Sequence, residues 1–401
     1  VPPSPSREGT RRRQQYTITA RALHQHSAQL CQKHLRLKDH GPKCTAVTLL
    51  TLLFYAAARI TSLAAACGSL SQAPSDTAVR TALLATLPQI SELQRRLNRT
   101  LQGDLPKALR RRRQPLAIDL TLLPYHGEPL EDADEVYRGQ AKEGTSHFHA
   151  YATAYVICKG QRFTVALDYV HKGDDMAEVV KRLLRQAAKA GIKPRYLLMD
   201  RGFYSVSVIR YLQAARCPFL MPVPCKGRKA DHPKGPSATR VFHLRQRGGW
   251  SRHTLKGGDG RTATISICVK CRNLRGERKK HGRQALVYGY WGLSPSSGQW
   301  VYETYRQRFA IETTYRQLRE ARIRTCTRDP LLRLLYVGIA LILRNVWVWL
   351  HWEVLSHPRQ GGRRIDLNQL PFRAMLSWLQ NLAEALLLPW DGIYAQHPMP
   401  T

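Results

Sequence analysis

The chain has 401 residues, 43% of them hydrophobic, with 63 Lys and Arg against 28 Asp and Glu, a formal net charge of +35. Such a chain is too apolar for a disordered basic tail and long enough for roughly two to four domains, each with its own core. Its charge, spread from Arg11 to Arg364, points to polyanionic partners and above all to nucleic acid, because each phosphate that a cation neutralises releases condensed counterions.

Residues 1–15 are rich in Pro, Ser and Arg and have no apolar run, so no secretory leader is expected and the protein should stay inside the cell. Helical periodicity then runs to about residue 113. The stretch 20–37 is amphipathic, 46–63 is apolar nearly all round, and 75–101 continues the helical period, punctuated by Pro74, Pro88 and Pro106. Residues 1–113 are therefore expected to form a helical domain. Its flanking runs Arg11–Arg13 and Arg110, Arg111, Arg112 and Arg113 suit phosphate contacts, or else are solvated charge at a linker. Cys31, His34 and Cys44 in this region, like the lone pair Cys268 and Cys271, offer only half of a zinc site; small packing residues and reduced thiols are the simpler reading.

At Pro115 the period changes to that of strands. Residues 116–123 form an apolar strand whose one charge is Asp119, and 148–158 with 162–170 read as a hairpin. Asp175, with Glu178 three residues on, caps a helix that Gly191 closes; its apolar face is Met176, Val179, Val180, Leu183, Leu184 and Ala187. A short buried strand over 196–199 ends in Asp200, a helix over 204–215 follows, and 218–223 is a further strand. Three strands, helix, strand, helix, strand predicts a mixed sheet, an antiparallel meander joined through crossover helices to parallel strands. A carboxylate in an apolar strand is costly unless paired, metal-bound or satisfied by backbone amides; neighbouring strands could bring Asp119 and Asp200 within reach of one ion.

From 224 to 290 the chain turns basic and glycine-rich, with strands expected over 239–245 and 262–270 and a hairpin turn at Gly257–Gly260, a β insertion. A strand over 285–293 leads into a helix over 298–322. On it Tyr305, Arg308, Glu312, Arg316 and Arg319 fall within about 80° of arc. One carboxylate among cations and a phenol suits metal-dependent phosphoryl transfer: Glu as ligand, Arg on phosphate, Tyr bonding to or stacking on nucleic acid. The other reading is an exposed salt-bridged face. Residues 329–355 and 367–388 are the final helices; Arg333, Arg344, Asn345 and His351 interrupt the first, which is read as buried rather than membrane-spanning.

Tyr305-x2-Arg308-x3-Glu312-x6-Arg319 resembles the YREK signature of cut-and-paste DDE transposases from prokaryotic insertion sequences, with Arg319 where the signature has Lys. Asp200-Arg201-Gly202-Phe203-Tyr204 resembles the second-aspartate segment of that family and Ala117-Ile118-Asp119-Leu120-Thr121 the first. The resemblance implies an α/β fold: an RNase H-like mixed-sheet catalytic core over 114–223 and 291–325, interrupted by the β-rich insertion 224–290 and flanked by helical regions 1–113 and 326–401. It implies that Asp119, Asp200 and Glu312 hold two Mg²⁺ or Mn²⁺ ions that cut DNA and join its 3′-OH ends. The N-terminal helices would bind terminal inverted repeats, and Tyr305, Arg308, Arg316, Arg319, Arg201, Trp250 and Arg110–Arg113 would meet DNA. Trp250, or as second candidate Trp291, would stack on a flipped base, although plain packing is the commoner role of either. A homodimer on paired ends, at the nucleoid in the cytoplasm and without membrane, completes the expectation. The alternatives are an RNase H-like nuclease and a domesticated DNA-binding protein.

Overall fold

The computed structural model describes residues 18–128, 135–158, 161–274, 282–309, 320–360 and 362–390. The chain opens with helices α1 (Ala20–Leu35), α2 (Ala46–Arg59), α3 (Leu63–Gly68), α4 (Asp76–Thr86), α5 (Ile90–Gly103) and α6 (Lys107–Arg111). Side-chain oxygens of Thr19, Thr45, Ser62 and Ser75 cap the first four, each satisfying an amide that has no partner within its helix. The apolar run expected as one helix over 46–63 stops where Ile60 turns left-handed at φ 56°. Leu87, held extended before Pro88, likewise divides 75–101 into α4 and α5.

The strands are β1 (Gln114–Pro124), β2 (Tyr137–Lys142), β3 (Thr145–Cys158), β4 (Gln161–Val170), β5 (Pro194–Met199), β6 (Phe219–Pro222), β7 (Gly249–Lys256), β8 (Thr262–Leu274) and β9 (Gly282–Trp291), with α7 (Met176–Lys189), α8 (Val206–Ala214) and α9 (Arg240–His243) between them. The run β4-β3-β1-β5-β6, antiparallel then parallel, is the RNase H-like order. β2 is an addition that the sequence does not announce. It forms a hairpin with β3 through Glu143 and Gly144, whose φ of 52° and 80° suit a tight turn.

Residues 224–290 do not make a separate sheet. β9 pairs antiparallel with β6, and β8 and β7 follow, so these strands extend the central sheet to nine. The strand expected over 239–245 is instead the helical turn α9. Thr239 donates to the Pro224 carbonyl at 2.5 Å and accepts from the Lys226 amide at 2.8 Å, folding the segment back on itself. The Gly257–Gly260 turn does join β7 to β8.

Beyond α10 (Gly298–Phe309) come α11 (Pro330–Trp349), one π-helical turn (Leu350–Val354), the small hairpin β10 (His357–Arg359) and β11 (Gly362–Arg364), and α12 (Phe372–Leu387). By length and composition Pro330–Val354 could cross a membrane, but 89% of its most apolar stretch is buried inside the protein. It is a core helix. Gly338 lies so close to Leu97 of α5 that any Cβ there would collide with it. One continuous hydrophobic core runs from α1–α5 through one face of the sheet to α11 and α12, so these N-terminal helices pack as part of the same body as the sheet.

That packing solves a particular problem, the free edge of β4. Gln94, Asn98 and Gln102 lie four residues apart on α5 and meet it as a row. Gln94 accepts from the Tyr169 amide at 2.7 Å, Asn98 bridges the amide and carbonyl of Leu167 at 2.8 and 2.9 Å, and Gln102 donates to the Val165 carbonyl at 2.9 Å. From α11, Asn345 accepts from the Thr164 amide and donates to the carbonyls of Thr164 and Leu101. Amide side chains thus replace a neighbouring strand and block edge pairing. Asn345→Leu, which leaves these buried groups unmet, should cost about 3 kcal/mol. The check is a lowered denaturant midpoint at unchanged slope; an unmoved midpoint would mean that the edge does not need the amide.

His149 of β3 is 1% exposed, beside the Tyr169 hydroxyl at 3.3 Å. Burial, helped by Arg333, pushes its pKa down to about 3. Because the folded state disfavours the imidazolium, His149 contributes stability above its unfolded pKa of about 6.5 and loses it as pH falls toward 3, at up to about 1.4 kcal/mol per pH unit. Between pH 6.5 and 4 the stability of His149→Phe should fall less steeply than that of the native chain, which unfolding curves across that range would check.

Candidate active site

The parallel register pairs Ile118 of β1 with Met199 of β5, so the next residue on each strand is an aspartate. Asp119 and Asp200 therefore stand side by side at the carboxyl end of the parallel pair. Asp119 is opposite Thr153 on its other flank, and one of its oxygens accepts from the Leu120 amide at 2.9 Å. Asp200 caps the 3₁₀ turn Arg201–Phe203 by accepting from the Arg201 amide at 2.7 Å. Its side chain is 47% exposed, against 8% for Asp119. A backbone amide meets part of each carboxylate's need, and one cation faces both.

That cation comes from α10. Arg308 places Nη2 3.2 Å from Oδ1 of Asp119 and 3.9 Å from Oδ2 of Asp200, while Nη1 donates to the Tyr305 hydroxyl at 3.2 Å. Burial alone opposes the Arg308 charge, but Asp119, then Tyr305 and Asp200, outweigh it and hold the guanidinium above its usual range. α10 lies over the sheet face formed by Ala117, Tyr155, Tyr196, Leu198, Leu220, Cys268 and Tyr288. It starts beside Cys268 of β8 at Gly298 and delivers Arg308 at β1, a path of about 15 Å along the helix.

Two oxygen donors converging on one positive group have the charge and hardness that Mg²⁺ or Mn²⁺ takes. Arg308 occupies the cation position between them, and the pair fits a divalent ion. Among the described residues no group of three His, Cys, Asp or Glu side chains clusters as a metal site. The expected third acid, Glu312, lies outside the described residues, as do Arg316, Arg319 and Arg11–Arg13. Asp168 is the counter-example among strand acids. Arg182 binds it at 2.8 Å and Gln94 donates to it at 2.8 Å, so it is fully used within the fold.

Other expected contacts land differently. Tyr305 is 1% exposed, packs 5.3 Å from the Tyr288 ring and accepts from Arg308, which it supports. Arg201 is exposed beside Asp200. Arg110, Arg111, Arg112 and Arg113 are exposed too, but they precede β1, whose first residue Gln114 is already about 17 Å along the strand from Asp119. Trp250 is 48% exposed on the edge strand β7, on the same sheet face as Tyr288, four strands from β5 or about 19 Å. Trp291, the second candidate, packs toward the opposite face of the sheet. A residue that the sequence did not single out is Arg162 of β4, whose Nη2 donates to the carbonyls of Gln307 and Arg308 at 3.2 and 3.1 Å.

Residues 110–346 match the family model of the transposase DDE domain, more than half of the chain. The solved structure of the piggyBac transposase synaptic complex with hairpin DNA is similar in fold, with a TM-score of 0.53 at 12% identity, covering 91% of this chain and 80% of that one. Among curated protein sequences none matches.

Proposed function

This chain belongs to the transposase DDE domain family, and we propose from that membership and from its site that it cuts DNA at the ends of a mobile element and transfers the freed 3′-OH ends into target DNA. The observation that carries the proposal is the meeting of Asp119 and Asp200, on neighbouring parallel strands, at one guanidinium. In this reading Asp119, Asp200 and Glu312 hold two Mg²⁺ or Mn²⁺ ions. When bound, such ions activate the attacking water or 3′-OH and stabilise the leaving oxygen. The residues themselves do the placing. Asp119 is rigid, set within a paired strand; Asp200, half exposed at a turn, faces the incoming strand; and Arg201 beside it holds a phosphate.

We place the element within the prokaryotic insertion sequences of YREK type, acting at the nucleoid. The exposed cations of the N-terminal helices bind its inverted repeats, and Arg110–Arg113 hold duplex away from the scissile bond. Trp250, at about 19 Å, is suited to a base several nucleotides from that bond rather than to its immediate neighbour. The piggyBac structure of like fold was captured as a synaptic complex with hairpin DNA; we carry over from it a pair of chains acting on two ends, with a hairpin on the way to second-strand cutting.

The test is a labelled duplex carrying the element's end, incubated with the native chain and Mg²⁺. Cutting followed by joining to a target supports the proposal. Binding without cutting would overturn it in favour of a domesticated DNA-binding protein, and cutting of RNA–DNA hybrid without joining in favour of an RNase H-like nuclease.

A further inference from the structure

Arg162 is 3% exposed and lies in a strand whose other residues are all buried, where an ionised side chain is costly unless it is fully engaged. From β4 its guanidinium reaches across β3, passing 5.1 Å from the centre of the Tyr155 ring. It ends on α10, donating to the carbonyls of Gln307 and Arg308 at 3.2 and 3.1 Å. Those carbonyls belong to the turn whose next side chain outward is the Arg308 guanidinium, 3.2 Å from Asp119. The sheet thereby grips the helix by its backbone at the residue that meets the aspartates.

We propose that Arg162 is a positioning residue for phosphoryl transfer: it sets the depth and rotation of α10 so that Arg308 faces Asp119 and Asp200. Three features of the contact suit this task. Backbone carbonyls are a fixed handle, because no rotamer change of α10 moves them relative to the helix axis. A planar guanidinium can take two acceptors in one geometry, which a lysine ammonium does only loosely. The anchor is also rigid, since β4 is held by β3 on one side and by Gln94, Asn98, Gln102 and Asn345 on the other. A displacement of about 1 Å at a reacting centre can cost about 100-fold in rate, so a grip at this point governs catalysis without touching DNA.

The proposal rests on the transposase reading, and its test separates the two. The full chain, Arg162→Met and Arg162→Lys are compared for cooperative thermal unfolding, for binding of an end-bearing duplex, for Mn²⁺ binding without DNA followed by electron paramagnetic resonance, and for single-turnover cleavage against Mn²⁺ concentration. Arg162→Met should unfold cooperatively and bind DNA within about twofold of the native chain. Its cleavage should fall about 100-fold and its Mn²⁺ affinity should rise about tenfold as Arg308 leaves the carboxylates it neutralises, with Arg162→Lys reversing part of both. Unchanged cleavage and Mn²⁺ affinity in Arg162→Met would overturn the proposal. So would a uniform loss of folding, DNA binding and cleavage that Arg162→Lys fully repairs, since that describes a purely structural arginine. Should the native chain not cut DNA at all, the transposase reading fails, while the Mn²⁺ titration without DNA still decides the role of Arg162.

Discussion

Asp200→Asn should lower metal-dependent DNA cleavage by about 1,000-fold while leaving fold and DNA binding in place, since a metal-held charge in such a site supplies several kcal/mol. Asparagine is the informative substitution. Its carbonyl can still accept from the Arg201 amide, as the Asp200 carboxylate does at 2.7 Å, so the turn Arg201–Phe203 keeps its cap and only the charge is removed. Asp200→Ala should lose as much cleavage and about 1 kcal/mol of stability besides, the ordinary worth of such a cap. Asp119→Asn should match Asp200→Asn in cleavage. It should destabilise more, because Asp119 is buried against Arg308 whereas Asp200 is half in water. Single-turnover cleavage with urea unfolding of each variant is the check. Cleavage by Asp200→Asn within about tenfold of native would remove Asp200 from the chemistry.

Arg308→Met carries the second large effect. Without the guanidinium, two carboxylates face each other where the pairing of β1 with β5 ends, one of them buried. Breaking a fully buried ion pair costs about 3–5 kcal/mol; with Asp200 half exposed and screened by water, about 2 kcal/mol is the expected loss here. That loss should be repaired by divalent metal, because an ion that binds only the folded state adds about 2.7 kcal/mol at 100 times its dissociation constant. Thermal unfolding should therefore show Arg308→Met well below the native chain in chelator and close to it in millimolar Mn²⁺. Equal melting of both proteins in chelator would mean that Arg308 is not the counter-ion of the pair.

Much of the layout around the two aspartates was legible because it depends on local pattern. The lone acids of 116–123 and 196–200 put Asp119 inside one apolar strand and Asp200 at the end of another, and the strand–helix order limited the sheet to a mixed one. What escaped depends on partners, which periodicity does not encode. Alternation in 262–270 and 285–293 identifies strands but not their neighbours, so their continuity with β6 was invisible. Helical phase put Tyr305 and Arg308 on one stripe, yet the same stripe serves a buried face as well as an exposed one, and here both face the sheet. The near-uniform apolarity of 46–63 announced burial without saying that the N-terminal helices share the core of the sheet. Arg162 was readable only as an odd charge in an apolar run, a signal that becomes meaningful once α10 is seen at its end.

The identity of the acids as metal ligands is tested most directly by exchanging oxygen for sulfur. Asp119→Cys, Asp200→Cys and Glu312→Cys replace a hard carboxylate with a thiolate, which Mg²⁺ avoids and Mn²⁺ tolerates better. Cleavage of the element's end should be lost with Mg²⁺ in all three and partly restored with Mn²⁺, the signature of a side chain in direct contact with the ion. Undiminished Mg²⁺-supported cleavage by any one of them would contradict its place in the site.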